Sequence, residues 1–236
     1  MALYVGTSGF AFKGWKGPFY PEELKGAEML AYYSGRLPSV EINYTFRRLP
    51  SESVLQGWRR ATSEGFRFTL KAPQRITHIK RLIDVAEEVD ELIRRARLLG
   101  DRLGTVLFQL PPSLRFDRAL LTTFLAQLPP VARYAMEFRH DSWRDPAVAS
   151  LLADQGAALC GAETDKAALD EIPRTAPHAY LRLRKESYTK AELEAWAGRI
   201  APLLKEGRDV YCYFKHEGGG AGPAYALALK EALGYE

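Results

Sequence analysis

The sequence predicts an α/β fold, a single (β/α)8 TIM barrel that occupies residues 1–236 as one domain. Short runs typical of buried β-strands alternate with segments of helical periodicity along the whole chain. There are eight such runs, and 236 residues are enough for a slightly small barrel. Within most runs, polar and apolar residues also alternate, which places a polar set on one face of each strand.

The predicted strands are rich in Val, Ile, Phe, Tyr and Leu, and turn-forming residues follow most of them. In chain order they cover residues 3–6, 39–45, 66–71, 105–110, 133–138, 157–161, 179–184 and 209–214.

Helical segments connect these strands. Residues 21–36 open with a Pro-Glu-Glu start, and Ser51 is placed to cap a helix over 51–63. Residues 84–99 place Val85, Val89 and Leu92 on one apolar stripe. Further helices are predicted over 117–128, 146–155, 189–204 and 223–233. Only the segment after the sixth strand, around 166–170, is short.

A doubly wound open sheet is the alternative fold. It often has a glycine fingerprint after the first strand, whereas this chain has Gly6-Thr7-Ser8-Gly9 there, which is not GxGxxG. The number of strands also favours the barrel.

Composition excludes several classes of protein. Hydrophobic residues make up 47% and charged residues 26%, which excludes collagen-like and disordered chains. The net charge of +4 is compatible with an anionic ligand but too small to indicate nucleic acid by itself. Cys160 and Cys212 lie in apolar runs and are predicted to be buried free thiols. With no signal-peptide pattern and no apolar run near the ~20 residues of a membrane span, we expect a cytoplasmic protein without membrane contact.

The polar faces of the strands are predicted to line the barrel interior, because the outer faces must pack on helices. An interior charge has to be paired, or lie at the open C-terminal mouth where ligands bind. Arg67 begins its strand and is predicted to fill the opposite end of the interior. The charged interior set has six basic residues and two acidic ones: Arg67, Lys71, Arg139, Arg182, Arg184, Lys215, Glu41 and Glu137. We expect the excess positive charge to bind an anion.

Four residues are candidates for catalysis. Glu41 and Glu137 could form an acid–base pair, or could serve only to neutralise neighbouring cations such as Arg139. Lys71 could form a Schiff base or act as an electrostatic anchor. His78 could act as a base near Lys71, or cap a loop. The four histidines show no metal-binding spacing, so no metal site is assigned, and the sequence identifies no cofactor.

The candidate ligand-binding residues lie at or just after strand ends. The basic candidates are predicted to hold the anion, the aromatic ones to stack on the ligand, and the glycines to offer backbone N–H groups before the last helix. The set is Ser8, Trp15, Asn43, Gln109, Arg139, Trp143, Arg182, Arg184, Lys215, Gly218 and Gly219.

Several motifs resemble the YecE-like family, known as domain of unknown function 72. They span nearly the whole chain in order: Gly6-Thr7-Ser8-Gly9-Phe10, Glu41-Ile42-Asn43-Tyr44-Thr45-Phe46, Lys71-Ala72-Pro73, Gln109-Leu110-Pro111-Pro112, Glu137-Phe138-Arg139 and Tyr211-Cys212-Tyr213-Phe214. The resemblance implies a TIM barrel and no established activity. Many members have His-Gly after the seventh-strand Arg and Asn-Asn after the eighth-strand Phe. This chain instead has Arg184-Lys185 and Lys215-His216, which suggests a more acidic ligand.

Taken together, the sequence predicts an enzyme that acts on a small anionic substrate by acid–base chemistry at the barrel mouth. A phosphorylated compound is one such substrate. The alternative is a protein that binds or processes nucleic acid through the same basic mouth.

Overall fold

Eight parallel strands close into a barrel, and each is hydrogen-bonded to the strands before and after it in the chain. The structure is a computed structural model that describes residues 1–216 and 218–235. The strands are β1 Leu3–Ser8, β2 Ser39–Ile42, β3 Arg67–Lys71, β4 Leu103–Gln109, β5 Arg133–Glu137, β6 Ala158–Glu163, β7 His178–Leu183 and β8 Asp209–Phe214. The predicted barrel is confirmed.

Seven α-helices of the described residues pack around the barrel. They are α1 Met29–Ser34, α2 Glu52–Arg60, α3 Ala86–Ala96, α4 Arg118–Ala126, α5 Pro146–Asp154, α6 Lys190–Lys205 and α7 Ala221–Ala232. Their starts follow local side-chain chemistry: Ser51 caps α2 as predicted, Asp117 caps α4, and Thr189 forms a capping box with Glu192 in α6. The segment around 166–170, expected to be the one short helical connection, contains no α-helix.

The predicted helix over 21–36 is wrong for most of its length. Only Met29–Ser34 is α-helical, after a short 3-10 turn at Gly26–Glu28. The chain before it instead follows a buried aromatic group in which Trp15 and Tyr20 are fully buried. Burial of these rings outweighs the local helical preference of the Pro-Glu-Glu start.

The second strand is also shorter than predicted. Asn43 has helical backbone angles and begins a 3-10 turn, so the alternation of β2 does not continue to Thr45. The Thr45 hydroxyl donates to the carbonyl oxygens of Ile42 (2.8 Å) and Lys71 (2.6 Å) and thereby holds the turn against the end of β3.

The barrel interior is filled mainly by rings from β7 and β8. Tyr180, Tyr211 and Tyr213 are at most 1% exposed and pack with Leu107 and Ala135. At the N-terminal end, the Arg67 guanidinium donates to the carbonyls of Glu64 and Phe66 and lies over the Tyr4 ring. These contacts close the N-terminal end of the barrel interior. The other charged interior groups lie at the C-terminal mouth.

Candidate functional site

Arg182 is the centre of the charged group inside the mouth. Its Nη2 lies 2.8 Å from Glu41 Oε1 and its Nη1 lies 2.5 Å from Glu137 Oε2. All three side chains are at most 2% exposed. One arginine therefore pairs with both carboxylates, where the sequence suggested a separate cation for each.

Glu41, at the C-terminal half of β2, has both oxygens occupied. Oε1 accepts from the Ser8 hydroxyl (2.6 Å) as well as from Arg182, and Oε2 accepts from the Tyr180 hydroxyl (2.5 Å). Ser8 is buried and its hydroxyl orients the carboxylate. Tyr180 was missed as a site residue, although its position two residues before Arg182 places both on the inner face of β7.

Glu137, the last residue of β5, contacts three arginines. Its Oε1 lies 3.1 Å from Arg139 Nε and 3.1 Å from Arg184 Nη2, in addition to the Arg182 contact of Oε2. Burial alone would raise the pKa of this carboxyl. The guanidinium groups of Arg182, Arg184 and Arg139 outweigh burial and lower the pKa from 4.5 to about 2.

Lys71 is the last residue of β3, which is separated from β5 by β4 alone. Its Nζ donates to Gln109 Oε1 (2.9 Å) and lies 4.1 Å from the centroid of the Phe46 ring. Gln109 Oε1 also accepts from Arg139 Nη2 (3.1 Å). Burial, followed by the nearby Arg182 charge, lowers the pKa of Lys71 from 10.5 to about 8, although Glu41 and Glu137 act in the opposite direction.

Two cavities open at this mouth and share a cationic wall. The smaller has a volume of about 350 Å³ and contains Lys71, Gln109, Asn43 and Arg182. The larger has a volume of about 1170 Å³ and extends beside β5 and β6. Arg139, Arg184 and Lys215 line both cavities. Among the described residues that line the smaller cavity, six are basic and none is acidic: Arg47, Lys71, Arg139, Arg182, Arg184 and Lys215. Glu41 and Glu137 pair with Arg182 but line neither cavity.

Two residues that line the smaller cavity each have a buried polar atom that makes no hydrogen bond to the described residues. Asn43 Oδ1 is buried without a hydrogen-bond partner among the described residues, and Arg184 Nε is likewise unpaired there. Unpaired buried polar atoms are costly, so Asn43 Oδ1 is suited to accept a hydrogen bond from a ligand or from water, and Arg184 Nε is suited to donate one.

His78 lies beside Lys71 rather than in contact with it. It belongs to a single π-helical turn, Arg75–Ile79, and its ring packs edge-on against Phe46 at 4.9 Å. Burial, together with the charges of Lys71 and Arg139, lowers its pKa below 6.5. This shift favours the neutral form of the imidazole.

The structure does not bring the other predicted residues into the cationic wall. Trp15 is fully buried against Phe12, and Trp143 is stacked on Phe138 at 4.2 Å with its Nε1 donating to the Leu114 carbonyl. Trp143 contributes one edge to the larger cavity. Gly218 and Gly219 are exposed and lie outside both cavities. Packing accounts for both tryptophans, because such rings bury more than 150 Å².

The described residues contain neither a cluster suited to a metal ion nor a helix suited to a membrane span. In residues 1–216 and 218–235, no group of three or more His, Cys, Asp or Glu side chains could hold a metal ion. No helix in these ranges is long and apolar enough to span a membrane.

Comparisons with known proteins agree with the motifs and the fold. The family described as "Protein of unknown function DUF72" matches residues 4–236. The UPF0759 protein YecE of Escherichia coli K12 is 34% identical over 116 residues, which cover 49% of this chain and 43% of YecE. YunF of Bacillus subtilis is 29% identical over 153 residues, which cover 61% of this chain and 53% of YunF. The matched segments thus span about half the length of these relatives.

Solved structures match over the full chain. A DUF72 family protein from Thermotoga maritima superposes with a TM-score of 0.86, with 28% identity over 99% of this chain and 100% of that one. A DUF72 family protein from Enterococcus faecalis superposes with a TM-score of 0.81 at 16% identity, over 99% of this chain and 96% of that one, which shows the fold alone. The family match over residues 4–236 and the ordered motifs at the barrel mouth show that this chain belongs to the DUF72 family.

Proposed function

We propose that this protein is an enzyme that binds a small anionic substrate at the barrel mouth and transfers a proton through Lys71. The observation that carries the proposal is the position of Lys71 Nζ, which lines a cavity rich in arginine and has a pKa lowered to about 8. A group whose pKa lies near the working pH can both donate and accept a proton.

The anion would be held by the wall that the two cavities share. Arg139 and Arg184 each contact Glu137 Oε1 through one nitrogen, and this contact orients their guanidinium groups. Each guanidinium has further N–H groups that can donate to a ligand. Arginine is well suited to phosphate and carboxylate because its planar fork gives two parallel hydrogen bonds. A bound anion would also offset the positive excess on this wall.

We assign proton transfer to Lys71 rather than to Glu41 or Glu137. All four carboxylate oxygens already accept hydrogen bonds, and Glu137 is too weak a base because its pKa is about 2. The carboxylates hold Arg182 in place. This is the neutralising role that the sequence left open for them. His78, next to Phe46, is available as a second proton carrier.

The pH dependence of Lys71 acylation tests this assignment. Only the amine form reacts, so the rate at Lys71, followed by peptide mass spectrometry, should level off above pH 8. The exposed Lys190 serves as an internal reference for reagent quality. Inorganic phosphate should shift the Lys71 midpoint upward, since a nearby anion favours the ammonium form. A midpoint near 10.5 would remove Lys71 from the proposal.

Calorimetry with inorganic phosphate tests the cationic wall. Arg184→Gln should weaken phosphate binding roughly tenfold or more, because it removes a charged hydrogen bond. Arg118→Gln, an exposed arginine at the start of α4, is the matched control and should bind as wild type. Absence of phosphate binding, with oligonucleotide binding that weakens steeply with salt, would instead favour the nucleic-acid alternative.

A further inference from the structure

The larger cavity lies beside β5 and β6, the neighbouring strands with the shortest backbone pairing among those described. The gap between these two strands is called the seam below. Strands β5 and β6 are paired only at Ala135↔Ala158 and Met136↔Leu159, whereas every other neighbouring pair is aligned over at least three residues. The seam therefore opens toward the mouth beyond Met136. It gives access from the cationic wall to the space outside β6.

The cover over this seam is irregular chain rather than a helix. Residues 164–177 connect β6 to β7 without an α-helix and lie against β6. Gly161 permits this contact, because a Cβ there would lie 2.6 Å from Leu169 Cδ2 and 3.2 Å from Pro173 Cδ. Residues 164–177 cover the cavity as a roof but do not fill it.

The lining of the larger cavity is apolar in part. Phe138, Leu159, Ala162, Leu169 and Pro173 line it, and Cys160 forms part of its floor. Phe138 presents a flat ring that is held in place by its parallel stack on Trp143. Acidic side chains such as Asp141 and Asp170 lie only at exposed positions on the outer wall.

The volume of about 1170 Å³ is slightly above the roughly 300–1,000 Å³ of typical small-molecule sites, so the cavity has room for an organic ligand and not only for a bare inorganic ion. The apolar part of this cavity opens onto Arg139, Arg184 and Lys215. A ligand that matches it has an apolar body and a negatively charged group. Asn43 and Lys71, which line the smaller cavity, are placed to bind the same negatively charged group from its other side.

We infer that the substrate is an amphipathic anion, whose charged group binds the shared cationic wall and whose apolar body lies in the seam cavity between β5 and β6. This inference rests on the proposed function, since it uses the same anion-binding wall. It adds that the seam cavity, rather than the cationic wall, determines which anions are accepted.

Calorimetry with four probes tests the inference: inorganic phosphate, glycerol phosphate, phenyl phosphate and 1-naphthyl phosphate. Phenyl phosphate should bind roughly tenfold more tightly than glycerol phosphate, because its ring leaves water while the charge stays the same. The naphthyl compound should bind at least as tightly as the phenyl compound. The gain should depend little on salt, since it does not arise from charge.

A variant that fills the cavity from its roof supplies the second arm. Ala168→Trp, at an exposed lining position, should abolish the preference for phenyl phosphate and leave inorganic phosphate binding unchanged. Ala149→Trp, exposed on α5 outside the cavity, is the control. Should Ala168→Trp fail to fold, Ala167→Trp fills the same roof.

The outcomes separate the two proposals. Phosphate binding with equal affinity for glycerol and phenyl phosphate, or a phenyl preference that survives both tryptophan variants, would overturn the amphipathic substrate and leave the proposed function in place. No binding of any of the four anions would overturn both.

Discussion

Replacing Glu137 by Gln removes one charge from the centre of the barrel mouth while keeping the shape of the side chain. The carboxylate accepts hydrogen bonds from Arg182 and Arg139 and forms an ion pair with Arg184. An amide keeps one acceptor oxygen and places an NH₂ group where the second oxygen was. That NH₂ group faces guanidinium N–H donors, so at least one of them loses its partner.

The structure gives the size of the effect. The pKa of Glu137 is lowered from 4.5 to about 2, and the group is buried, so its ionised form contributes roughly 3 kcal/mol to stability at pH 7. Breaking a buried ion pair typically costs about 3–5 kcal/mol, which agrees. For a chain of this length, roughly 3 kcal/mol corresponds to a fall in Tm of about 6–12 °C.

Thermal melts of wild type, Glu137→Gln and the exposed control Glu231→Gln measure this effect. We expect the control to melt within about 1–2 °C of wild type, as exposed substitutions usually do. A Glu137→Gln protein that melts as wild type at pH 7 would refute the reasoning, because the three arginine contacts would then contribute nothing to stability.

The same contribution has a defined pH dependence. Because the folded pKa of Glu137 lies below the unfolded value, its stabilisation is present above pH 4.5 and is lost as pH falls toward 2. The difference in unfolding free energy between wild type and Glu137→Gln should therefore shrink by about 1 kcal/mol between pH 7 and pH 4. Urea titrations at the two pH values measure it.

Two further predictions concern groups around the barrel interior. Tyr180→Phe removes the hydroxyl that donates to Glu41 Oε2 and should lower the free energy of unfolding by about 1–3 kcal/mol in urea titrations, whereas an unchanged value would show that water replaces the hydroxyl. His178, buried at the start of β7, has a pKa lowered from 6.5 to about 4 by burial and by Arg133. Its neutral form stabilises the fold above pH 6.5, and roughly 3 kcal/mol of this is lost as pH falls to 4. Urea titrations of His178→Gln should show a flatter pH profile over that interval, and a profile parallel to wild type would contradict the burial argument.

The fold was predictable because most strands show their own alternation of polar and apolar residues. The alternation in β3, β5, β7 and β8 depends only on which face of a strand meets the helices. After β6 the sequence indicated only a short connecting segment, and not that it lacks an α-helix. The failures lie where tertiary contacts override local preference. The helix expected over 21–36 gives way to aromatic burial around Trp15, and β2 ends early because Thr45 caps it against β3.

The candidate site was predictable as a set of residues but not as a set of contacts. Strand-end positions were sufficient to place Glu41, Lys71, Glu137 and Arg182 at one mouth. Which cation meets which carboxylate depends on the stagger between strands, which sequence alone does not show. Hence the sequence did not indicate that Arg182 alone bridges both carboxylates, or that Lys71 contacts Gln109 instead of an acid.

This pairing also explains why Lys71 keeps a low pKa next to two carboxylates. Glu41 and Glu137 raise the pKa of Lys71, but their oxygens are turned toward Arg182, and burial together with the Arg182 charge outweighs them. Had either carboxylate paired with Lys71 directly, the lysine would be a fixed ammonium ion and could not exchange a proton near neutral pH. The buried Glu41–Arg182–Glu137 group carries one positive and two negative charges. Its internal pairing withholds the acceptors that would lock the lysine in its charged form.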